Sequence, residues 1–336
     1  MSDFSFTLYS VRNGTPFGIK IIAGGAIVTE LGEVDGEDGY SSPARDAGLK
    51  SGDVIIKVNG KEKPTNDDIS DAVQLDGEKT RIVYTRDGKR HTTTAIPVKS
   101  GKDGLYKIGL WVRDSSAGIG TMTYYNPADS AFGGLGHAVC DIDTGQTLPL
   151  SSGEAVSVYI SGVIKGFSGT PGELCGSFVS RVPVGIINGN TEAGVFGVME
   201  NPPAIDGAVP MAFKQEVKIG PAKLLTTLEG NTPKEYDVLI EKIDYNDKNK
   251  VKNMVIKVTD KQLLNKSGGI VQGMSGSPLV QNGRLVGAVT HVFVSDPTRG
   301  YAIFAENMFR EQQAVLLEQQ QQLTIVEHSQ GLQEAA

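Results

Sequence analysis

Gly273-Met274-Ser275-Gly276-Ser277-Pro278, followed by Leu285-Val286-Gly287-Ala288-Val289-Thr290-His291-Val292-Phe293-Val294, is the stretch that decides how this chain is read. The hexapeptide sets a serine between two glycines, with an apolar strand close behind. Glycine on each side lets the backbone turn tightly and approach another chain. Such a turn aims backbone N–H groups at one point, as an oxyanion hole requires. The plain alternative is a Gly-Ser-Pro turn between strands. An α/β-hydrolase elbow is excluded: Gly-x-Ser-x-Gly would need glycine where Ser277 stands, and the chain lacks alternating strands and helices. Gly166-Phe167-Ser168-Gly169-Thr170-Pro171 resembles the hexapeptide and reads as a structural turn.

Composition supports a mainly β chain. There are 42 glycines among 336 residues, and aromatic content is only 7%, as many short strands and turns would produce. Length predicts about two domains. The 39% hydrophobic content is enough for packed cores. A net charge of −7 argues against a nucleic-acid partner. Cys140 and Cys175 form at most one bridge, and with only four histidines neither a metal nor a cofactor is expected. No stretch approaches the roughly 18 apolar residues of a membrane span. Met1-Ser2-Asp3-Phe4 has no signal-peptide character, so localisation stays open.

A serine nucleophile needs a base, and the base needs an orienting group. His328 lies in the expected tail and His91 in the first domain, which leaves His137 and His291. His137 follows Gly133-Gly134-Leu135-Gly136 and is the expected base. His291 and Thr290, on the strand after the serine, either line a substrate pocket or pack. Asp141, Asp143 and Asp260 are candidates for the acid. Four residues along a strand put Asp141 about 13 Å from His137. Asp260 is therefore preferred, with Asp143 as the fallback. Gly273 and Ser275 are the expected oxyanion donors.

Earlier in the chain, Ala44-x-x-Ala47-Gly48-Leu49-x-x-Gly52-Asp53-Val54-Ile55 with Val58-Asn59-Gly60 resembles a bacterial PDZ domain. Such domains bind an extended peptide at a sheet edge. That resemblance puts Phe17, Gly18 and Ile19 at the loop holding a peptide carboxylate; packing in a core is the alternative. Ser100 to Gly104 is the expected boundary. The predicted division is 1–100 PDZ-like, 101–325 peptidase and 326–336 flexible tail.

Ser267 to Pro278, Gly287-Ala288-Val289-Thr290-His291-Val292, Asp296 to Tyr301, Gly136-His137 and Trp111 to Thr121 together resemble the stage IV sporulation protein B peptidases. The resemblance implies a chymotrypsin-like double β-barrel with a C-terminal helix and a triad on His137, Asp260 and Ser275. It implies limited, regulatory proteolysis in sporulation signalling, with a membrane-bound regulatory protein as substrate, self-cleavage, and an extracytoplasmic setting. The alternative is a catalytically silent PDZ-containing scaffold.

Overall fold

A computed structural model describes residues 9–12, 14–75, 78–200, 208–246 and 250–334. The chain divides into two compact units. One comprises Met1–Lys20, Ala117–Val139 and Gly153–Ala336; the other comprises Ile21–Ser116 with Cys140–Ser152.

The second unit is built on three antiparallel strands, Val54–Val58, Thr80–Arg86 and Lys89–Ala95. Asn59-Gly60 and Asp87-Gly88 turn with positive φ at both residues, as two-residue hairpin turns demand. Pro43 opens the short helix Pro43–Asp46, and Gly48 follows it at φ 83°. Helix Asn66–Gln74 starts from a capping box made by Thr65 and Asp68. Ala26, Val28, Leu49, Ile55, Ile69 and Ile82 are fully or nearly buried together. Buried Asp53 accepts the Lys50 N–H and two bonds from the Arg86 guanidinium, at 2.7 Å each.

The first unit holds two β structures. In one, Tyr9–Arg12, the part of Leu110–Tyr125 from Ala117, Ala131–Gly134, Gly194–Met199, Glu173–Thr191 and the part of Leu150–Ile164 from Gly153 are neighbours in that order. The other is a closed six-stranded barrel, ordered Gly220–Thr226, Lys234–Ile243, Met254–Val258, Asp296–Phe304, Arg284–Phe293 and Pro278–Gln281. Leu224, Val238, Ile256, Met274, Leu279 and Val289 fill its core. Apolar runs such as Ala155 to Ile160, Tyr236 to Ile243 and Met254 to Val258 fall within strands as expected.

The division differs from the expected one in three ways. Strand Pro16–Leu31 is continuous for 16 residues, and its first residues belong to the peptidase unit. Ser100 to Gly104 is a turn, with Ser100 and Gly104 hydrogen-bonded, inside the PDZ-bearing unit. The final helix runs Ala305–Glu334, through most of the expected tail. Phe17 and Ile19 are buried, and Phe17 meets Phe132 edge to face at 5.9 Å. A side chain at Gly18 would collide with Val156 and Phe178. These three residues are core of the peptidase unit, so they do not form a carboxylate-binding loop.

Candidate active site

Ser275 sits on a loop whose shape depends on two glycines. Gly273 has φ 91° and Gly276 φ 92°, both in the region that side chains disfavour. The loop is held by buried groups from strand Leu110–Tyr125. Thr121 Oγ1 donates to Gly273 O at 2.9 Å, and Thr123 Oγ1 to Gly276 O at 2.7 Å. The Thr121 N–H donates to Ser275 O at 2.9 Å, and the Gly276 N–H to Val289 O at 2.8 Å. Among the described residues, no protein group accepts from the N–H of Gly273 or Ser275.

His137 follows strand Ala131–Gly134 through Leu135 and Gly136, at φ 64° and 69°. Gly136 lies against the Thr290 and Ile303 side chains, so the base loop and the strand after the serine meet there. The His137 Nδ1 is 2.8 Å from Ala138 O. A carbonyl only accepts, so Nδ1 carries the proton and Nε2 keeps a lone pair. Burial pushes His137 below its ordinary pKa, opposed by the Ala138 bond. The ring is therefore neutral at pH 7, as a general base must be. Asn190 secures the loop by accepting from the Val139 N–H and donating to Val139 O, at 2.8 and 2.9 Å.

Thr290 is the meeting point. Ser275 Oγ donates to Thr290 O at 2.9 Å. The carbonyl is free because Thr290 is the extra residue of a β-bulge: Val289 pairs with Ala302 and His291 with Tyr301. Its side chain turns inward, and Oγ1 donates to Val251 O at 3.0 Å. Thr290 is 1% exposed, so it lines no substrate pocket. His291 lies against His137, with ring centroids 5.0 Å apart.

Asp260 is not brought to this group. It is the N-cap of helix Lys261–Ser267, where Oδ1 accepts the N–H groups of Gln262 and Leu263 at 2.8 and 2.9 Å. It stands five residues beyond Val255, which pairs with Tyr301 opposite His291. Five residues of extended chain span about 16 Å. The fallback Asp143 is paired with Arg113 at 2.8 Å, beside Asp141 at 2.7 Å. Ser168 Oγ donates to Ser295 O in an exposed turn. Cys140 and Cys175 are not joined by a disulfide. Thr121, Thr123 and Asn190 were not singled out from sequence. The two threonines stand two residues apart and so share one face of the buried end of the strand, Gly120–Tyr125, whose other side chains are Met122, Tyr124 and Tyr125.

The SpoIVB peptidase S55 family matches residues 104–309, more than half of the 336. The chain belongs to that family. A PDZ domain matches residues 40–86. This S55 peptidase is thus a serine peptidase joined to a PDZ domain. It is 38% identical over 96 residues to a probable periplasmic serine endoprotease DegP-like of Chlamydia trachomatis, covering 27% of this chain and 18% of that protein. It is 44% identical over 62 residues to the serine protease Do-like HtrB of Bacillus subtilis, covering 18% and 14%. The chain thus spans less than a fifth of either relative. Among solved structures, the Rv3671c protease of M. tuberculosis in its active form gives a TM-score of 0.32 at 15% identity, over 59% of this chain and 74% of that one. The HtrA-type protease AlgW with a decapeptide gives 0.35 at 13%, over 65% and 55%.

Proposed function

We propose that the chain is a serine endopeptidase performing limited, regulatory proteolysis in sporulation signalling. The substrate is a protein, in this proposal a membrane-bound regulator outside the cytoplasm, and the chain also cuts itself. The observation that carries the catalytic part is the convergence of Ser275, His137 and the Thr290–His291 bulge within one unit. Ser275 Oγ attacks the peptide carbonyl and His137 Nε2 takes its proton. The N–H groups of Gly273 and Ser275 hold the oxyanion. His137 then returns the proton to the leaving amine, and water repeats the sequence on the acyl-enzyme. In this reading Ala138 O, not a carboxylate, fixes the tautomer. Ser275 leaves Thr290 O by rotating about its Cα–Cβ bond.

A fluorophosphonate probe tests this reading. The wild type is expected to label at Ser275, and Ser275→Ala not to label. Labelling that survives Ser275→Ala sinks the assignment, and binding of substrate without turnover by the wild type favours a silent scaffold.

For the PDZ domain we propose that residues 110–114 are the edge to which a peptide adds as a strand. They touch the start of helix Asn66–Gln74, where the Asn66 N–H donates to Asp114 at 2.8 Å, and the preceding Tyr106 O accepts from Gln74 Nε2 at 2.7 Å at the helix's other end. Leu110 and Val112 pack on the unit's core, and Trp111 is exposed. Hydrogen exchange with a bound peptide is expected to slow at these amides. Protection confined to other strands refutes the placement.

A further inference from the structure

His291 stands where strict alternation would not put it. Val289 is fully buried in the barrel, and a regular strand sends residue 291 to the same face. The bulge at Thr290 inserts one residue and turns His291 out of the core onto the His137 ring. The two rings are tilted by 38° at 5.0 Å, within the range of ring packing. His137 is thus held at two places: Ala138 O takes its Nδ1–H, and His291 covers the ring.

We propose that His291 is a positioning residue for the general base, holding the His137 imidazole so that Nδ1 stays on Ala138 O and Nε2 faces the nucleophile. The inference rests on the reading of Ser275 and His137 as nucleophile and base. A carboxylate orients a catalytic imidazole through a hydrogen bond at Nδ1. Here a backbone carbonyl takes that bond. A carbonyl carries no full charge and grips more weakly, so ring contact supplies the remaining restraint. The ring contact also removes part of the imidazole's hydration, which disfavours its charged form.

The charge surroundings are sparse. Among the described residues, the titratable group facing His137 is His291, and those acting on His291 are His137 and Lys252. Lys252 lies 5.1 Å over the Tyr301 ring, which pairs opposite His291. Partial desolvation and these two neighbours lower His291 to about 4; its edge is exposed to solvent, and even the ordinary value of about 6.5 leaves it neutral at pH 7. Its role at neutral pH is therefore steric, and phenylalanine can fill it.

The full chain tests this with His291→Ala and His291→Phe, by fluorophosphonate inactivation across pH and by NMR of 15N-labelled histidine. For His291→Ala, the maximal inactivation rate is expected to fall by about a hundredfold, as misplacement of a reacting group does. Probe affinity should change little. The acid limb of the rate, set below 6.5 by burial of His137, should move up towards about 6.5, the unperturbed value. His137 should lose its single Nδ1–H tautomer. His291→Phe should restore the rate to within about threefold and return the acid limb and the tautomer. An unmoved rate and tautomer in His291→Ala overturn the proposal. So does a change in probe affinity alone, which would make His291 a substrate contact. The NMR tautomer reads His137 directly, so it decides the matter even for a chain whose Ser275 does not label, a result that would instead remove the catalytic reading.

Discussion

Gly276 offers the sharpest test of how the nucleophile loop is built. A Cβ placed there would overlap Thr121 O, and come within 2.5 Å of Leu135 N and 3.0 Å of Leu135 Cα. All three atoms are backbone, so no side-chain rotation relieves the clash. The backbone is also at φ 92°, a conformation that costs an alanine about 1–2 kcal/mol. Overpacking of this kind adds about 1–3 kcal/mol. Gly276→Ala is therefore expected to destabilise the peptidase unit by about 2–5 kcal/mol. Gly283 supplies the control. It has φ 73° in a hairpin turn with nothing within 4 Å of an added Cβ, so Gly283→Ala meets only the conformational cost of about 1–2 kcal/mol. The difference between the variants isolates the contact with Thr121 and Leu135. Urea unfolding followed by far-UV circular dichroism measures it, because the single tryptophan, Trp111, lies in the other unit and would miss it. Fluorophosphonate labelling should fall with Gly276→Ala and not with Gly283→Ala. Equal destabilisation by both substitutions, with labelling of Gly276→Ala at the wild-type rate, would refute the account of the loop.

Two further substitutions examine the acidic residues. Asp260→Ala should cost about 1 kcal/mol as the loss of an N-cap, whereas Asp260→Asn should melt like the wild type and label within about tenfold of its rate, since asparagine caps equally well. Loss of several orders of magnitude in Asp260→Asn at unchanged melting would show that the carboxylate acts on His137 in the working enzyme. Asp53→Ala leaves the Arg86 guanidinium without its buried partner and should lower the stability of the PDZ-bearing unit by about 2–3 kcal/mol, discounted because Arg86 is partly exposed. Trp111 fluorescence reads that unfolding, and an unmoved midpoint contradicts the assigned role of the pair.

Local chemistry was legible in the sequence and long-range register was not. The turns at Asn59-Gly60 and Asp87-Gly88, and the glycine-flanked loops at Ser275 and His137, each depend on a few adjacent residues, and the structure has them as turns and loops. On spacing Asp141 is set aside and Asp143 is kept only as a fallback; in the structure both pair with Arg113. What elimination left, Asp260, carries its own local signal: an aspartate before Lys261-Gln262-Leu263-Leu264 is a helix N-cap pattern. Phe17, Gly18 and Ile19 failed for a different reason. Their strand continues past Gly24-Gly25 without a break, and which unit buries its first half is decided by Phe132, Val156 and Leu135, more than a hundred residues later. The bulge at Thr290 depends on the register of the partner strand, which the apolar run from Leu285 to Val294 does not reveal.

The hydrogen bond from Ser275 Oγ to Thr290 O commits the hydroxyl proton to a carbonyl, and its energy bounds what it can do. A neutral hydrogen bond contributes about 0.5–1.5 kcal/mol net. At about 1.4 kcal/mol per factor of ten, releasing the hydroxyl slows the reaction by roughly twofold to tenfold. That is a resting position, not a switch. A change of several orders of magnitude needs more than this bond, such as displacement of the Gly273 and Ser275 amides or of His137. The loop is fixed by Thr121, Thr123 and Val289. Two of these, Thr121 and Thr123, lie two residues apart on one strand, Leu110–Tyr125.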